Sequence, residues 1–291
     1  MKKNNFDVAI FGSGLTAKAM CLIAQHCDMS FINIQGKEKA QKSEKDIRSL
    51  ALSSASINML KILGIEIETQ SVEKMIVFEG GVSDEKIKGK VVFNSKDLQD
   101  QIAFISEYTL INESLERSIK LNKENFIKED PILISNDRNF SSVSFNKTAP
   151  INSKLNIFTE RLDLNLQELF QVKYEFSDYE QTAITATLEH SKDHKGYAYQ
   201  FFLKNGPLAL LPLKKRKTKN YSSLVWTEST SSSREILSSG KEFEKKLNDM
   251  CGKYLGQIKV SSEPISFPLK KVTCKTPLVK RNILVGDAVR S

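Results

Sequence analysis

Two glycines near the N-terminus have the spacing of a phosphate-binding turn. The segment Gly12-x-Gly14-x-x-Ala17 follows a short apolar run and precedes a stretch with helical periodicity. Glycine at the first two positions permits a tight turn and lets a pyrophosphate approach the amides of a helix N-terminus, and a small third residue lets helix and strand pack closely. The pattern favours dinucleotide binding; a tight strand–helix turn without a ligand is the alternative.

The position that should bind the ribose of such a dinucleotide holds an amide. In sites of this kind an acidic residue, about 20 residues beyond the glycines, accepts hydrogen bonds from the ribose hydroxyls. Here that position is Gln35, whose carbonyl oxygen accepts a hydrogen bond without the added strength of a charge. We expect weaker binding than with a carboxylate, and Gln35→Glu to strengthen it by about 1 kcal/mol.

Other residue types that often carry chemistry are sparse. His190 and His194 lie in the polar stretch 189–195 beside a predicted strand end, which favours exposed loop histidines over a general base. The four cysteines include no Cys-x-x-Cys pair, and with three histidines no metal-ligand cluster is expected. The sequence therefore predicts reduced thiols, no metal site and no assignable catalytic side chain.

The elements around the glycine turn predict a β–α–β unit. Residues 6–11 read as a buried parallel strand, Leu15 to Ile23 carries one apolar helical stripe, and residues 29–34 read as a second strand. Further on, Ser53 and Ser54 can cap a helix that Gly64 ends. A helix is also predicted over residues 95–105. These elements are typical of an α/β domain.

The second half of the chain predicts an antiparallel sheet. The strand-like segments are 182–189, 199–203, 208–211 and 222–227, separated by polar or Gly/Pro-bearing turns. Trp226 and the Phe201-Phe202 pair lie in these segments and are expected in the core. A core-facing helix carries Phe243, Leu247, Met250 and Tyr254. Residues 282–285 read as one more buried strand, leading into Gly286-Asp287.

Composition excludes several classes of protein. The chain has 291 residues, 40% apolar and 27% charged, which fits one large or two modest domains and excludes a small disulfide scaffold, a fibre or a wholly disordered chain. No apolar run approaches the length of a membrane span, and residues 1–6 have no signal-peptide core behind them. We therefore expect a soluble cytoplasmic protein.

The net charge of +8 is densest at Lys214 to Lys219. This cluster follows Pro212 and precedes a strand-like segment, which favours a solvated hairpin loop. A patch for an anionic membrane surface is the alternative.

The order and spacing of longer motifs resemble the FAD-dependent monooxygenases of ubiquinone biosynthesis. In the N-terminal part these motifs are the glycine turn, Asp46-Ile47-Arg48 and Val92-Phe93-Asn94. The more specific ones are Tyr179-x-Gln181-Thr182-Ala183-Ile184, Ala198-Tyr199-Gln200-x-Phe202, Gly206 to Leu213, Ser223 to Thr227, Phe267-Pro268-Leu269 and Val285-Gly286-Asp287-Ala288. The resemblance covers essentially the whole chain.

The resemblance implies an α/β fold with a Rossmann-like FAD-binding domain of the aromatic-hydroxylase type and a second, β-sheet substrate domain. The FAD domain would comprise residues 1–74, 95–165 and 266–291, and the substrate domain residues 75–94 and 166–265. It also implies hydroxylation of the aromatic ring of a polyprenylated quinone precursor, with FAD as cofactor, NAD(P)H as reductant and O2 as co-substrate. The implied surroundings are the inner face of the membrane and a quinone-synthesis protein complex, with no nucleic acid.

The cofactor-binding residues implied by the resemblance are Gly12, Gly14, Ala17, Gln35, Arg48, Asn94, Gly286 and Asp287. Arg48 would lie along the FAD, Asn94 with its helix close to it, and Asp287 would contact the ribityl chain. Without the resemblance, the same three residues read as a surface cation, a helix cap and a turn former.

The chain departs from the family pattern at three places besides Gln35. Glu160-Arg161 stands where the family has Asp-Gly, and Gln167 where it has an arginine. After Ala288 the family continues through a histidine and a Pro-x-x-Gly-x-Gly loop, which predicts a C-terminally truncated member with degenerate FAD motifs. The alternative is a non-catalytic homologue that binds FAD poorly and acts as a scaffold in a quinone-synthesis assembly.

Overall fold

The computed structural model of the chain describes residues 4–36, 46–80, 87–120, 125–238 and 240–291. The chain divides into two compact units. Unit 1 consists of Met1–Lys42, Asn112–Ser177 and Lys270–Ser291, and unit 2 of Ser43–Ile111 and Asp178–Leu269. Residues 43–74 and 95–111, which the sequence-based division assigned to the FAD domain, group with unit 2. The division into cofactor and substrate domains stays a prediction.

The elements are given in chain order. The strands are β1 (Asn5–Phe11), β2 (Phe31–Ile34), β3 (Ser49–Leu52), β4 (Gln70–Ser71), β5 (Lys74–Gly80), β6 (Ile87–Asn94), β7 (Phe104–Glu107), β8 (Phe126–Ile127), β9 (Leu133–Asn136), β10 (Ser141–Ser144), β11 (Ile151–Phe158), β12 (Tyr174–His190), β13 (Tyr197–Leu203), β14 (Gly206–Arg216), β15 (Lys219–Ser229), β16 (Ile258–Val260), β17 (Ile265–Cys274), β18 (Leu278–Val279) and β19 (Asn282–Leu284). The helices are α1 (Leu15–His26), α2 (Ser54–Ile62), α3 (Ser95–Leu98), α4 (Tyr108–Ser118), α5 (Leu164–Phe170), α6 (Thr230–Leu237) and α7 (Gly240–Leu255), and Gly286–Ala288 forms a 3-10 turn.

Unit 1 contains a sheet in the order β18-β19-β11-β1-β2-β8, with β10 added on β11 and β9 on β10. Strands β1, β2, β8, β11 and β19 run parallel. The central strand β1 is apolar because both of its faces are covered: Ile10 packs with Ala17 and Cys21 of α1, and Phe11 stacks on Phe158 of β11. The predicted β–α–β unit is confirmed.

A buried polar network fixes the pairing of β10, β11 and β19. The amide nitrogen of Asn156 donates to the Ser141 hydroxyl and to Asn282 Oδ1, both at 2.7 Å, and its Oδ1 accepts from the Ser153 hydroxyl at 2.5 Å. All four residues are buried. A register shift of one residue would leave these groups unpaired, so the network specifies the register as well as satisfying its own polar atoms.

Unit 2 contains a sheet in the order β16-β12-β15-β14-β13-β5-β6, with β17 added on β12, and a three-stranded sheet β3-β7-β4. Strands β12 to β15 are antiparallel to their neighbours, as predicted, while β13 runs parallel to β5. One face of the large sheet packs against α6 and α7: Phe201, Leu224 and Trp226 meet Phe243 and Leu247.

Two expectations about unit 2 were wrong in detail. The predicted helix over 95–105 ends at Leu98, because Gln99 adopts a left-handed conformation (φ 55°), and Ile105 lies instead on β7. Phe202 is 50% exposed although Phe201 is fully buried, since neighbours on a strand point to opposite faces.

Helix α7 is confirmed, but its buried face differs from the predicted one. Cys251 and Leu255 complete that face, with Met250 and Tyr254 only partly buried.

The basic cluster at Lys214 to Lys219 is the predicted hairpin, with β14 and β15 joined at Lys217-Thr218. Four of its cations pair with carboxylates of the same unit. The pairs are Lys214–Glu68 (3.0 Å), Lys215–Asp193 (2.8 Å), Arg216–Glu107 (2.5 Å) and Lys219–Glu189 (2.8 Å). This pairing neutralises most of the charge that a membrane-surface patch would need.

Within the described ranges, no helix has both the length and the apolar character that crossing a membrane requires. The described histidine, cysteine, aspartate and glutamate side chains form no group of three or more that could hold a metal ion.

Candidate functional site

Four parallel strands of unit 1 end at one edge of the sheet and bring most of the predicted binding residues there. Gly12 and Gly14 follow β1, Gln35 follows β2, and Gly286 and Asp287 follow β19. The loop that begins at residue 159 follows β11 at the same edge. Clefts at the carboxyl ends of parallel strands are the usual ligand sites of such sheets.

Gly12 and Gly14 are glycines for different structural reasons. Gly12 adopts φ +128°, and a Cβ there would lie 2.2 Å from Thr159 Oγ1, so the fold itself requires glycine. Gly14 caps α1 with an ordinary extended conformation, and a Cβ there would meet nothing closer than Glu160 Oε1 at 4.0 Å. Gly14 therefore leaves open space at the start of α1. Ala17 is buried where α1 packs on β1.

The start of α1 already has an anionic partner. Glu160 Oε1 accepts hydrogen bonds from the Ser13 amide (2.7 Å), the Ser13 hydroxyl (3.2 Å) and the Gly14 amide (3.3 Å). The amides of Leu15 and Thr16, which come next in the helix, have no partner among the described residues. Sequence reasoning identified residue 160 as a departure from the family motif but not this contact, since the paired residues are 147 positions apart.

Gln35 is held by a buried residue that the sequence analysis missed. Its Nε2 donates to Asn33 Oδ1 at 2.8 Å, and the Asn33 amide nitrogen donates to the carbonyl oxygens of Ile10 and Gly12, both at 3.0 Å. Asn33 is only 3% exposed. The available signal was one polar residue inside an otherwise apolar strand, β2.

The contacts of Gln35 change the expected effect of Gln35→Glu. The amide nitrogen of Asn33 is fixed by two carbonyl oxygens, so its own oxygen must face residue 35. A carboxylate at position 35 would lose the 2.8 Å hydrogen bond and would place two acceptors against each other. We therefore no longer expect this substitution alone to strengthen binding.

The Gly286-Asp287 turn packs against the first turn of α1. Gly286 adopts φ +59°, and a Cβ there would approach Thr16 Oγ1 to 3.0 Å. The Tyr174 hydroxyl donates to the Ala288 carbonyl oxygen (2.9 Å) and accepts from the Leu162 amide (3.3 Å), which ties this turn to the loop after β11. The side chain of Asp287 is exposed at the edge.

Arg48 and Asn94 belong to unit 2. Arg48 binds Asp46 through two nitrogens, at 2.9 and 2.5 Å, and lies over the Tyr108 ring. Burial raises the pKa of the Asp46 carboxyl, but the hydrogen bonds from Arg48 outweigh it and hold that pKa below its usual value. Asn94 occupies the N-cap position of α3 without a capping hydrogen bond from its side chain. Their predicted role toward a cofactor stays a prediction.

His190 and His194 are buried, so the expectation of exposed loop histidines was wrong. His194 Nδ1 accepts from the Gly196 amide (3.0 Å), so its Nε2 carries the hydrogen and donates to the Leu213 carbonyl oxygen (2.8 Å). His190 bonds the Lys192 carbonyl oxygen and the Ser222 hydroxyl. Burial lowers the pKa of both histidines. Through these hydrogen bonds they connect β12, β14 and β15.

The fold is shared with FAD-dependent monooxygenases and aromatic-ring hydroxylases. PqsL of Pseudomonas aeruginosa in complex with 2-aminobenzoylacetate superposes with a TM-score of 0.76 at 12% identity, over 99% of this chain and 80% of that one. The 2,6-dihydroxypyridine-3-hydroxylase of Arthrobacter nicotinovorans gives a TM-score of 0.70 at 12% identity, over 100% and 78%. At these identities the likeness establishes the fold alone, and it confirms the predicted class.

Three relatives in sequence carry names from ubiquinone hydroxylation or biosynthesis. Ubiquinone hydroxylase UbiL of Rhodospirillum rubrum is 37% identical over 111 residues, which are 38% of this chain and 25% of that protein. The 3-demethoxyubiquinol 3-hydroxylase of Escherichia coli is 24% identical over 79% of this chain and 59% of its own. The ubiquinone biosynthesis monooxygenase COQ6 of Danio rerio is 24% identical over 81% and 52%.

The chain is thus a relative of the FAD-dependent monooxygenases of ubiquinone biosynthesis, and the resemblance drawn from its motifs is confirmed. The aligned region spans 25% to 59% of the length of these three relatives. Comparison with models of protein families gives no match.

Proposed function

We propose that the chain binds FAD and acts as a hydroxylase on the aromatic ring of a polyprenylated quinone precursor, with NAD(P)H as reductant and O2 as co-substrate. The observation that carries the proposal is the edge of the unit 1 sheet, where the glycine turn, Gln35 and the Gly286-Asp287 turn converge. The three relatives are hydroxylases or monooxygenases, which favours catalysis over the non-catalytic scaffold.

The residues at this edge fit the dinucleotide part of FAD. The amides of Leu15 and Thr16 are positioned to bond a pyrophosphate at the start of α1, and the space beside Gly14 admits it. The Gln35 carbonyl oxygen would accept from the ribose, and Asp287 would face the ribityl chain. Bound FAD supplies the activation of O2, so the chain needs no nucleophile of its own.

A face of the large sheet in unit 2 is suited to an aromatic substrate. Directly paired residues of five adjacent strands share this face, and all are exposed or half-buried: Val91, Val77, Gln200, Ala209 and Val225. Because they lie opposite the face that packs on α6 and α7, they form an apolar strip with one amide. Such a surface can pack against one face of a flat apolar ring.

The first test is a titration of FAD into the purified chain, followed by flavin fluorescence. We expect saturable binding, and its loss in Gly14→Asp, which places a side chain and a negative charge in the phosphate path. Gly14→Ala, which the backbone accepts without a close contact, adds a side chain without a charge and so separates the steric effect on FAD affinity from the electrostatic one. Absence of binding at high micromolar protein, with the chain shown to be folded, would refute the proposal.

Catalysis is tested with NADPH, O2 and a prenylated phenol, by following NADPH consumption, hydrogen peroxide and hydroxylated product. Product formed in proportion to NADPH supports the hydroxylase. Contact with a membrane or with a quinone-synthesis complex is a separate proposal, and the paired cations of the Lys214 to Lys219 hairpin give it little support.

A further inference from the structure

The contact between Glu160 and the glycine turn has a consequence for cofactor affinity. We propose that the Glu160 carboxylate is a built-in competitor for the phosphate-binding turn, which stabilises the turn in the protein without cofactor and opposes the pyrophosphate of FAD. This inference rests on the proposed function, and it assigns to Glu160 a role in setting how tightly the dinucleotide binds.

The chemistry of the contact resembles that of a bound phosphate. A single oxygen of Glu160 accepts from two backbone amides and one hydroxyl, at 2.7, 3.3 and 3.2 Å. Amides at the start of a helix bind carboxylates and phosphates for the same reason, because the helix dipole and the unpaired N–H groups favour an anion. Charge-assisted bonds of this kind are stronger than neutral ones.

The backbone on both sides of the contact is fixed. The amide and the hydroxyl of Thr159 both donate to the Phe11 carbonyl oxygen, at 3.0 and 2.9 Å, which holds the start of the Glu160 loop directly beside Gly12. The side chain of Glu160 itself is exposed. The fixed backbone therefore places the carboxylate beside the turn. Because the side chain is exposed, it can rotate into solvent when another anion competes for the same position.

Two anions cannot share this position without cost. A pyrophosphate on the amides of Leu15 and Thr16 would lie next to the carboxylate on the amides of Ser13 and Gly14, and like charges at such separations repel. Removing the charge should strengthen FAD binding and weaken the turn of the unliganded protein. These opposite effects separate competition from a purely structural role, which would weaken both.

The experiment compares the full chain with Glu160→Gln and with Asp137→Asn. Asp137 is the matched control, since it accepts from two backbone amides of unit 1, both at 2.6 Å, at the turn between β9 and β10. Two quantities are measured: the melting temperature without ligand, and the Kd for FAD by flavin fluorescence. Inorganic pyrophosphate is the second probe, followed by the shift in melting temperature.

We expect Glu160→Gln to lower the melting temperature by about 2 °C and to strengthen FAD and pyrophosphate binding about tenfold. Asp137→Asn should lower the melting temperature and leave both affinities unchanged. An unchanged or weaker affinity in Glu160→Gln overturns the inference. Pyrophosphate bound more tightly by Glu160→Gln than by the unsubstituted chain, with FAD bound by neither, would refute the proposed function and support competition at the turn. Binding of neither probe by any of the three proteins would refute both.

Discussion

Asn33 offers a strict test of how the candidate site is held together. Asn33→Asp replaces the donor that bonds the Ile10 and Gly12 carbonyl oxygens at 3.0 Å with an acceptor, inside a position that is nearly inaccessible to water. A buried charge without a partner costs about 3 to 5 kcal/mol. Asn33→Leu keeps the branched arrangement of side-chain heavy atoms and loses the three hydrogen bonds without adding a charge, which costs about 2 to 3 kcal/mol at about 1 kcal/mol each.

The measurement must report on unit 1, and the single tryptophan, Trp226, lies in unit 2. Hydrogen exchange followed by mass spectrometry resolves the two units, with peptides from β1 and β2 as reporters and peptides from β14 and β15 as the internal reference. We expect the free energy of opening of the β1–β2 peptides to fall by the amounts above, with the reference unchanged. The loss in Asn33→Asp should shrink at low pH, where a protonated carboxyl can again donate.

The reasoning fails if Asn33→Asp and Asn33→Leu lower that free energy equally, because the charge would then not face the two carbonyl oxygens. It also fails if either loss stays below about 1 kcal/mol, the value of one ordinary hydrogen bond.

Three further predictions concern neighbouring features. Gln35→Glu should weaken FAD binding, by about 1 kcal/mol in a fluorescence titration, because Asn33 then faces it with an oxygen; stronger binding would show that the Gln35 amide points elsewhere. Gly12→Ala should destabilise unit 1 by more than 1 kcal/mol, while Gly14→Ala should be nearly neutral by hydrogen exchange. Burial lowers the pKa of His194, so the unfolded chain binds more protons at this residue than the folded one. The free energy of unfolding of unit 2, measured by tryptophan fluorescence in urea, should therefore fall as the pH drops below about 6.5. This dependence on pH should be weaker in His194→Gln.

Much of the fold was readable from local patterns. The apolar run before Gly12, the helical stripe after Gly14 and the apolar run at residues 29–34 predicted β1, α1 and β2, the last of them two residues longer than the observed strand. The prediction of a helix over residues 95–105 failed although Leu98, Ile102 and Ile105 fit one helical face. The left-handed Gln99 ends the helix, and Ile105 lies on the strand β7.

The parts of the site that depend on distant pairs could not be read. Glu160 contacts the glycine turn because β1 and β11 are neighbours in the sheet. The local sequence does not predict that pairing. The buried His194 bonds the Leu213 carbonyl oxygen of β14, a contact between residues 19 positions apart. The motifs indicated Gly12, Gly14, Gln35 and Asp287 as binding residues, but neither their arrangement at one edge of the sheet nor the contacts around them was predicted.

The pairing of β1 with β11 and of β11 with β19 also constrains how the chain can acquire its structure. Residues 126 positions apart must meet for Asn156 to bond Asn282, and such distant contacts form late because closing long loops costs entropy. During synthesis, all segments of the large sheet of unit 2 have emerged once residue 274 is outside the ribosome, whereas the unit 1 sheet is complete only after β19, at residue 284. Until β11 has been synthesised, β1 has an unpaired apolar edge at which other strands could pair wrongly. The hydrogen bonds of Asn156 then fix the pairing of β10, β11 and β19 in a single register.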